Sequence, residues 1–159
     1  MNRLVVADAG PLIALARLGS LALLPGLFSQ ALVTPQVLAE CEARHDRDEG
    51  AAVRAAISTG SLYLQTPPTP LPGWGVDAGV SSAIALALET GAGVLMDDRA
   101  GRNVARTLGL NVIGTAGLLV LAKRRCQIST VRGHLEFLVD SGYFLGPEVV
   151  TEVLRLAGE

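Results

Sequence analysis

Two places in the chain share one form: a short, wholly apolar run, then an aspartate, then at once a helix. The first is Leu4-Val5-Val6-Ala7-Asp8, followed by a helix that opens near Gly10-Pro11. The second runs from Val94 to Leu108, Val-Leu-Met-Asp-Asp-Arg-Ala-Gly-Arg-Asn-Val-Ala-Arg-Thr-Leu, and places Asp97 and Asp98 at the corresponding step. A strand with no polar residue is buried on both faces, the situation of a strand in a parallel sheet covered by helices. Carboxylates at the strand-to-helix step stand at the carboxyl end of the strand, where open α/β sheets hold their ligands. Asp8, Asp97 and Asp98 therefore define an expected acidic crevice. The helix after Asp98 is expected to expose Arg99, Arg102 and Arg106.

The other segments fit the same plan. Ala31-Leu32-Val33 reads as a second buried strand, and Thr34-Pro35 as the cap and first residue of a helix reaching about Arg44. Val37, Leu38 and Cys41 form its apolar stripe, with Glu40 beside it. His45 to Gly50 reads as a solvated turn, Ala51 to Ile57 as a helix and Ser61 to Gln65 as a short strand. Thr66 to Gly75 carries four prolines and reads as an extended surface loop. Trp74 within it either anchors the loop to the surface or serves as a lid or an RNA-stacking residue. Gly79 to Glu89 is apolar nearly all round and is expected to be a buried helix. Asn111 to Ile113 is a further strand, and Thr115 caps a helix ending at Lys123-Arg124-Arg125. Two amphipathic helices, Val131 to Val139 and Pro147 to Leu156, close the chain. The alternation predicts one three-layer α/β domain over residues 1–159 with a mostly parallel sheet.

Composition narrows the function classes. A net charge of −2 gives no global attraction to nucleic acid or anionic membrane, so such binding needs a local patch. Lys123-Arg124-Arg125 is one such patch, or simply a set of cations favoured by the helix dipole. The longest uncharged stretch, Leu18 to Ala39, is broken by Pro25, Gly26 and Pro35, and no membrane span is expected. The two cysteines, Cys41 and Cys126, form no paired motif, and with no leader pattern the expected setting is the reducing cytoplasm. No GxxxxGK[ST] and no GxGxxG after a strand is present, so a nucleotide cradle is not expected. Asp8 is followed by Ala9-Gly10 rather than a second acid, which removes the Asp-x-Asp of one phosphatase class. His45 and His134 lie in polar stretches that read as solvated.

The acids admit two readings. An aspartate before a helix caps it and suits its dipole, which accounts for Asp8 or Asp98 singly. Capping does not account for two consecutive carboxylates at one strand end with a third at another. Crowded carboxylates repel unless a proton or a cation intervenes, which points to a hard-metal site.

Several segments in fixed order resemble PIN-domain proteins: Val-Val-Ala-Asp-Ala-Gly-Pro-Leu-Ile-Ala-Leu-Ala at 5–16, Thr-Pro-Gln-Val-Leu-Ala-Glu ending at Glu40, Leu-Met-Asp-Asp-Arg at 95–99, and Gly-Leu-Asn-Val-Ile-Gly-Thr-Ala-Gly-Leu-Leu at 109–119. The resemblance spans nearly the whole chain and is nearest to prokaryotic PIN-like proteins related to VapC-type toxins. It implies a nuclease fold whose acids hold Mg²⁺ or Mn²⁺, with RNA as substrate. Residue by residue, Asp8 matches the first family acid, Glu40 the second and Asp98 the late one, with Asp97 as a supporting neighbour. Asp8, Glu40 and Asp98 are thus the implied metal ligands. Relatives of this kind act as toxins held by a small antitoxin. The high apolar content, and the Leu21 to Leu27 stretch in particular, leads to the expectation of a homodimer or a bound partner. One position departs from the family pattern: Gly79-Val80-Ser81-Ser82-Ala83-Ile84 has Val80 where the family carries an acid. Ser82 offers only a hydroxyl, and Asp77 lies just before the helix. The alternative expectation is therefore a catalytically impaired PIN-like module that binds RNA or a protein.

Overall fold

The structure is a computed structural model that describes residues 3–43 and 48–159. Arg44, the expected end of one helix, and His45, Asp46 and Arg47 of the expected turn lie outside the described residues. Among the described residues five strands form one sheet: β1 (Leu4–Ala7), β2 (Gln30–Val33), β3 (Tyr63–Leu64), β4 (Gly93–Leu95) and β5 (Val112–Ile113). Their order is β3-β2-β1-β4-β5, and every neighbouring pair is parallel. Parallel neighbours need crossovers, and the described residues supply nine helices: α1 (Ala9–Arg17), α2 (Leu23–Leu27), α3 (Pro35–Glu42), α4 (Glu49–Thr59), α5 (Ala78–Thr90), α6 (Arg99–Thr107), α7 (Thr115–Arg124), α8 (Arg132–Asp140) and α9 (Pro147–Ala157).

The period-two geometry of the central strands produces the three layers. Val5 and Ala7 of β1, with Ala31 and Val33 of β2, face a core built with α1, α2, α3, α4 and α7. Val6, Leu32 and Val94 face the opposite way, onto α5 and α6. A third cluster joins α1 and α7 to α8 and α9 through Ala14, Leu119, Leu135 and Val153. The buried character expected of the helix at 79–89 is present, since every residue from Gly79 to Ala87 is buried. Leu21, Leu24 and Leu27 are buried against the chain's own core, whereas Leu23 is half-buried and Ala22 and Pro25 are exposed. The exposed large apolar side chains are elsewhere and include Phe137, Val139, Phe144 and Val149.

Two local expectations are corrected. Glu49 and Gly50, expected in a solvated turn, open α4 and are buried. Glu49 Oε1 receives Arg17 Nε at 2.8 Å, an ion pair with both side chains nearly out of water. Thr115 is not a cap, because Gly114 holds that position and Thr115 is the first residue of α7. Trp74 is half-buried and packs on the core beneath α5 and α6, as an anchor for its loop.

Gly50 shows how closely α3 and α4 approach: a Cβ there would stand 2.8 Å from Glu42 Cα and 3.0 Å from the Cys41 carbonyl oxygen. Glycine to alanine inside a helix ordinarily stabilises by about 1 kcal/mol. At this position backbone stands in the way, so Gly50→Ala is expected to destabilise instead, by about 1–3 kcal/mol, measured by urea unfolding. A gain in stability would show that α3 and α4 do not meet at Gly50.

Candidate active site

The crevice lies where the strand order reverses. From β1 the chain crosses to β2 and β3 on one side, then returns to place β4 on the other, so the carboxyl ends of β1 and β4 flank the switch point. Asp8 and the Asp97-Asp98 pair follow these two adjacent strands, and the Asp8 amide donates to the Leu95 carbonyl oxygen at 2.9 Å. The expected meeting of the two acidic junctions is therefore present.

Asp8 occupies the cap position of α1, yet its side chain makes no capping hydrogen bond. The carboxylate is buried, and among the described residues Oδ1 has no hydrogen-bond partner. Burial raises its pKa to about 7, opposed by the Ala9 amide and reinforced by the charges of Glu40, Asp77 and Asp98. The capping explanation therefore fails for Asp8. It holds for Asp98, whose Oδ2 accepts from the Gly101 amide at 2.7 Å, and for Asp77, whose Oδ1 accepts from Val80 N at 2.9 Å.

Glu40 comes from the middle of α3 and is exposed. Its position is marked by Gly79: a Cβ there would lie 3.1 Å from Glu40 Oε1 and 3.5 Å from Asp77 Oδ1. A side chain at 79 would press on both carboxyl groups, so glycine leaves room for the α3 and α5 acids to face each other. Their charges, with that of Asp98, all bear on Asp8.

Asp97 has a different task. Its Oδ1 accepts from the Thr115 amide at 2.8 Å, and Oδ2 accepts from Thr115 Oγ1 at 2.6 Å and from the Tyr143 hydroxyl. These bonds tie the end of β4 to the start of α7 and to the turn between α8 and α9. Burial and the Asp97 charge push the Tyr143 pKa up, so the phenol stays protonated and donates. Tyr143 carries no signal in the sequence, because it sits in a turn far from both junctions.

The arginines of α6 divide. Arg99 and Arg106 are exposed as expected, whereas Arg102 is half-buried and donates from Nη1 to the Met96 carbonyl oxygen at 2.9 Å. Lys123 is a structural tie, bonding the Ala157 carbonyl oxygen at 2.7 Å and Glu159 Oε2 at 3.0 Å, which leaves Arg124 and Arg125 exposed. A cavity of about 340 Å³ opens beside the acids, lined by Gly10, Asp97, Asp98, Gly142, Tyr143 and Phe144, among others. A larger one, about 690 Å³, opens at the amino ends of β1 and β4 and has no carboxylate in its lining.

Val80 is 3% exposed and packs among the core side chains of α5 and α6. A Cβ on Gly101 would lie 2.7 Å from Val80 Cγ1 and 3.1 Å from Asp98 Oδ2, so Val80 borders the Asp98 cap. Ser82 is also internal. Its hydroxyl donates to the Gly79 carbonyl oxygen at 2.7 Å and so accepts from Thr34 Oγ1, also at 2.7 Å. Among the described residues no three His, Cys, Asp or Glu side chains are arranged to hold a metal ion between them. The donor chemistry nonetheless suits a hard cation, since the acids are carboxylates and one buried oxygen among them lacks a partner.

An all-parallel sheet covered by helices, with carboxylates at its switch point, defines an open α/β domain with an acidic crevice. The family model DUF3368, described as a PIN domain, matches residues 4–159, and the chain belongs to that family. PIN domains generally use divalent metals. None of the curated proteins matches the chain.

The Asp8 pKa has a consequence for stability. With its folded value near 7 and its unfolded value near 3.8, the folded chain holds one more proton than the unfolded chain between those limits. Stability from this group is thus full below the unfolded value and falls as pH rises through the folded one. In EDTA the protein should be more stable at pH 5 than at pH 8.5, and Asp8→Asn should remove much of that difference. Denaturant midpoints at the two pH values measure both, and an unchanged difference in Asp8→Asn would assign the effect elsewhere.

Proposed function

We propose that the chain is a divalent-metal-dependent endoribonuclease of the VapC-toxin-like kind, acting on single-stranded RNA. The observation that carries this reading is the buried, unpartnered Oδ1 of Asp8 under the charges of Glu40, Asp77 and Asp98. A carboxylate held in that state weakens the fold at neutral pH, and a bound cation would relieve it. Asp8 and Asp98 would hold Mg²⁺ or Mn²⁺, with Glu40 and Asp77 facing its waters. Magnesium keeps several waters and takes few protein carboxylates, so a preformed three-acid cage is not required. When bound, the ion would supply activation of water and charge stabilisation for in-line attack on a phosphodiester.

The chain's own residues do the positioning. The Gly101 amide fixes Oδ2 of Asp98, which is exposed. Asp97, bonded through both oxygens, holds the surrounding loops still rather than facing substrate. Arg99 and Arg106 present exposed cations on the helix that Asp98 opens and would meet the RNA phosphates. The role of a toxin held by a small cytoplasmic antitoxin belongs to the same proposal. So does a dimer, for which the exposed Phe137, Val139 and Val149 of α8 and α9 would supply the surface in place of the Leu21 to Leu27 stretch. A second reading, an impaired module that binds RNA without cutting it, is favoured by Val80, a core side chain where the family carries an acid.

Cleavage of single-stranded RNA in Mn²⁺ or Mg²⁺, abolished by EDTA, is the expected result. Asp8→Asn should lower the rate at least about 100-fold, in line with losing one preorganised charge of a site, and Asp77→Asn should lower it and weaken Mn²⁺ binding in calorimetry. RNA binding without cleavage by the unaltered chain would favour the second reading.

Val80→Glu gives a further expectation. A carboxylate there would be buried beside Asp98, so this variant should unfold more easily in EDTA, by about 1–3 kcal/mol, and recover in Mn²⁺ more than the unaltered chain does. Equal responses to Mn²⁺ would mean that position 80 faces only the core.

A further inference from the structure

The turn between α8 and α9 carries two aromatic residues in succession with opposite environments. Tyr143 is half-buried and donates to Asp97. Phe144 is 88% exposed, far more than any other large hydrophobic side chain described. A phenyl ring left in water forfeits about 2 kcal/mol of burial, and this one follows directly on a residue that is bonded to Asp97.

Beside it is the acidic crevice, since Phe144 lines the same 340 Å³ cavity as Asp97 and Asp98. Of the two glycines in that lining, Gly10 packs against Tyr143 and Gly142 borders open space. A Cβ at Gly10 would already touch Tyr143 Oη at 3.4 Å, and Gly142, with φ of 89°, has nothing within 4 Å of its Cβ position. The exposed cations Arg99 and Arg106 stand on the helix that begins at Asp98. An exposed aromatic face bordering open space, the acids beside it, and the exposed Arg99 next in the chain to Asp98 together match one nucleotide of an unpaired strand: base, sugar and neighbouring phosphate.

We propose that Phe144 is the stacking platform for a nucleobase of single-stranded RNA, seated at the mouth of the acidic crevice and fixed in place through the Tyr143–Asp97 bond. The inference rests on the nuclease reading and adds its base-binding subsite. Every base has a π-face, so stacking of this kind favours unpaired RNA over duplex without selecting one sequence. It also sets which phosphate lies over the acids, because a base anchored on Phe144 fixes the register of the strand.

The test uses the full chain and a short fluorescent single-stranded RNA, with Ca²⁺ present to neutralise the acids. Phe144→Ala should weaken binding about tenfold, whereas Phe144→Trp should bind at least as tightly as the unaltered chain. An RNA scanned with one abasic nucleotide should show a position whose loss weakens binding to the unaltered chain but not to Phe144→Ala. Because the ring is exposed, both variants should keep the parent circular dichroism spectrum. If Phe144→Ala binds the RNA as the unaltered chain does, the inference is overturned while the nuclease reading stands. It is overturned equally if Phe144→Ala changes only the oligomeric state in light scattering, which would make the ring a protein-docking residue. If the unaltered chain binds no RNA, the nuclease reading fails and the subsite with it.

Discussion

Asp8 places a carboxyl group at the end of the central strand of a sheet whose buried strand residues are all apolar, and much of the site follows from that placement. β1 is the middle strand, flanked by β2 and β4, so the residue after it cannot turn toward solvent as an edge residue could. Its carboxylate is buried with one oxygen unpartnered and three further acids close enough to raise its pKa. A strongly perturbed carboxyl group in a crevice is a candidate functional group on physical grounds.

The surrounding acids are held by three separate devices, which keeps the site rigid without linking their fates. Asp98 and Asp77 are fixed by the first turns of the helices they cap, so their orientation depends on backbone alone. Asp97 is fixed from outside the sheet, by Thr115 and by Tyr143. α8 and α9, which contribute nothing to the sheet, thereby shape the crevice through one phenol and present Phe144 at its mouth. Glu40 alone among these acids stands on the flank of a helix, and the missing side chain of Gly79 gives it space.

Val80 marks where packing and charge compete for one position. The first turn of α5 lies against Gly101 and Met96, a contact that an apolar side chain fills and a carboxylate would disturb. Asp77, three residues earlier, sits outside that contact and adds its charge to the crevice from the cap of the same helix. The packed position thus holds an apolar side chain, and the acid of this helix stands at its solvent-facing start.

The layers were legible in the residues themselves. Apolar runs such as Leu4–Ala7 and Val94–Met96, each followed at once by a helix, admit little besides a buried parallel strand, because a polar alternation would be needed for any strand with a wet face. The aspartates at these strand ends were legible for the same reason, and Glu40 only through a resemblance. Local pattern misled where burial depended on a distant partner: Glu49 reads as a solvated acid until Arg17 is seen beside it. It could not reveal that Asp8 lacks its capping bond, that Thr115 serves Asp97 rather than α7, or that Tyr143 and Phe144 reach the crevice from more than forty residues away. Periodicity records which face of an element is apolar; which side chains converge at a sheet's end is set by how the helices pack, and that is a property of the folded chain alone.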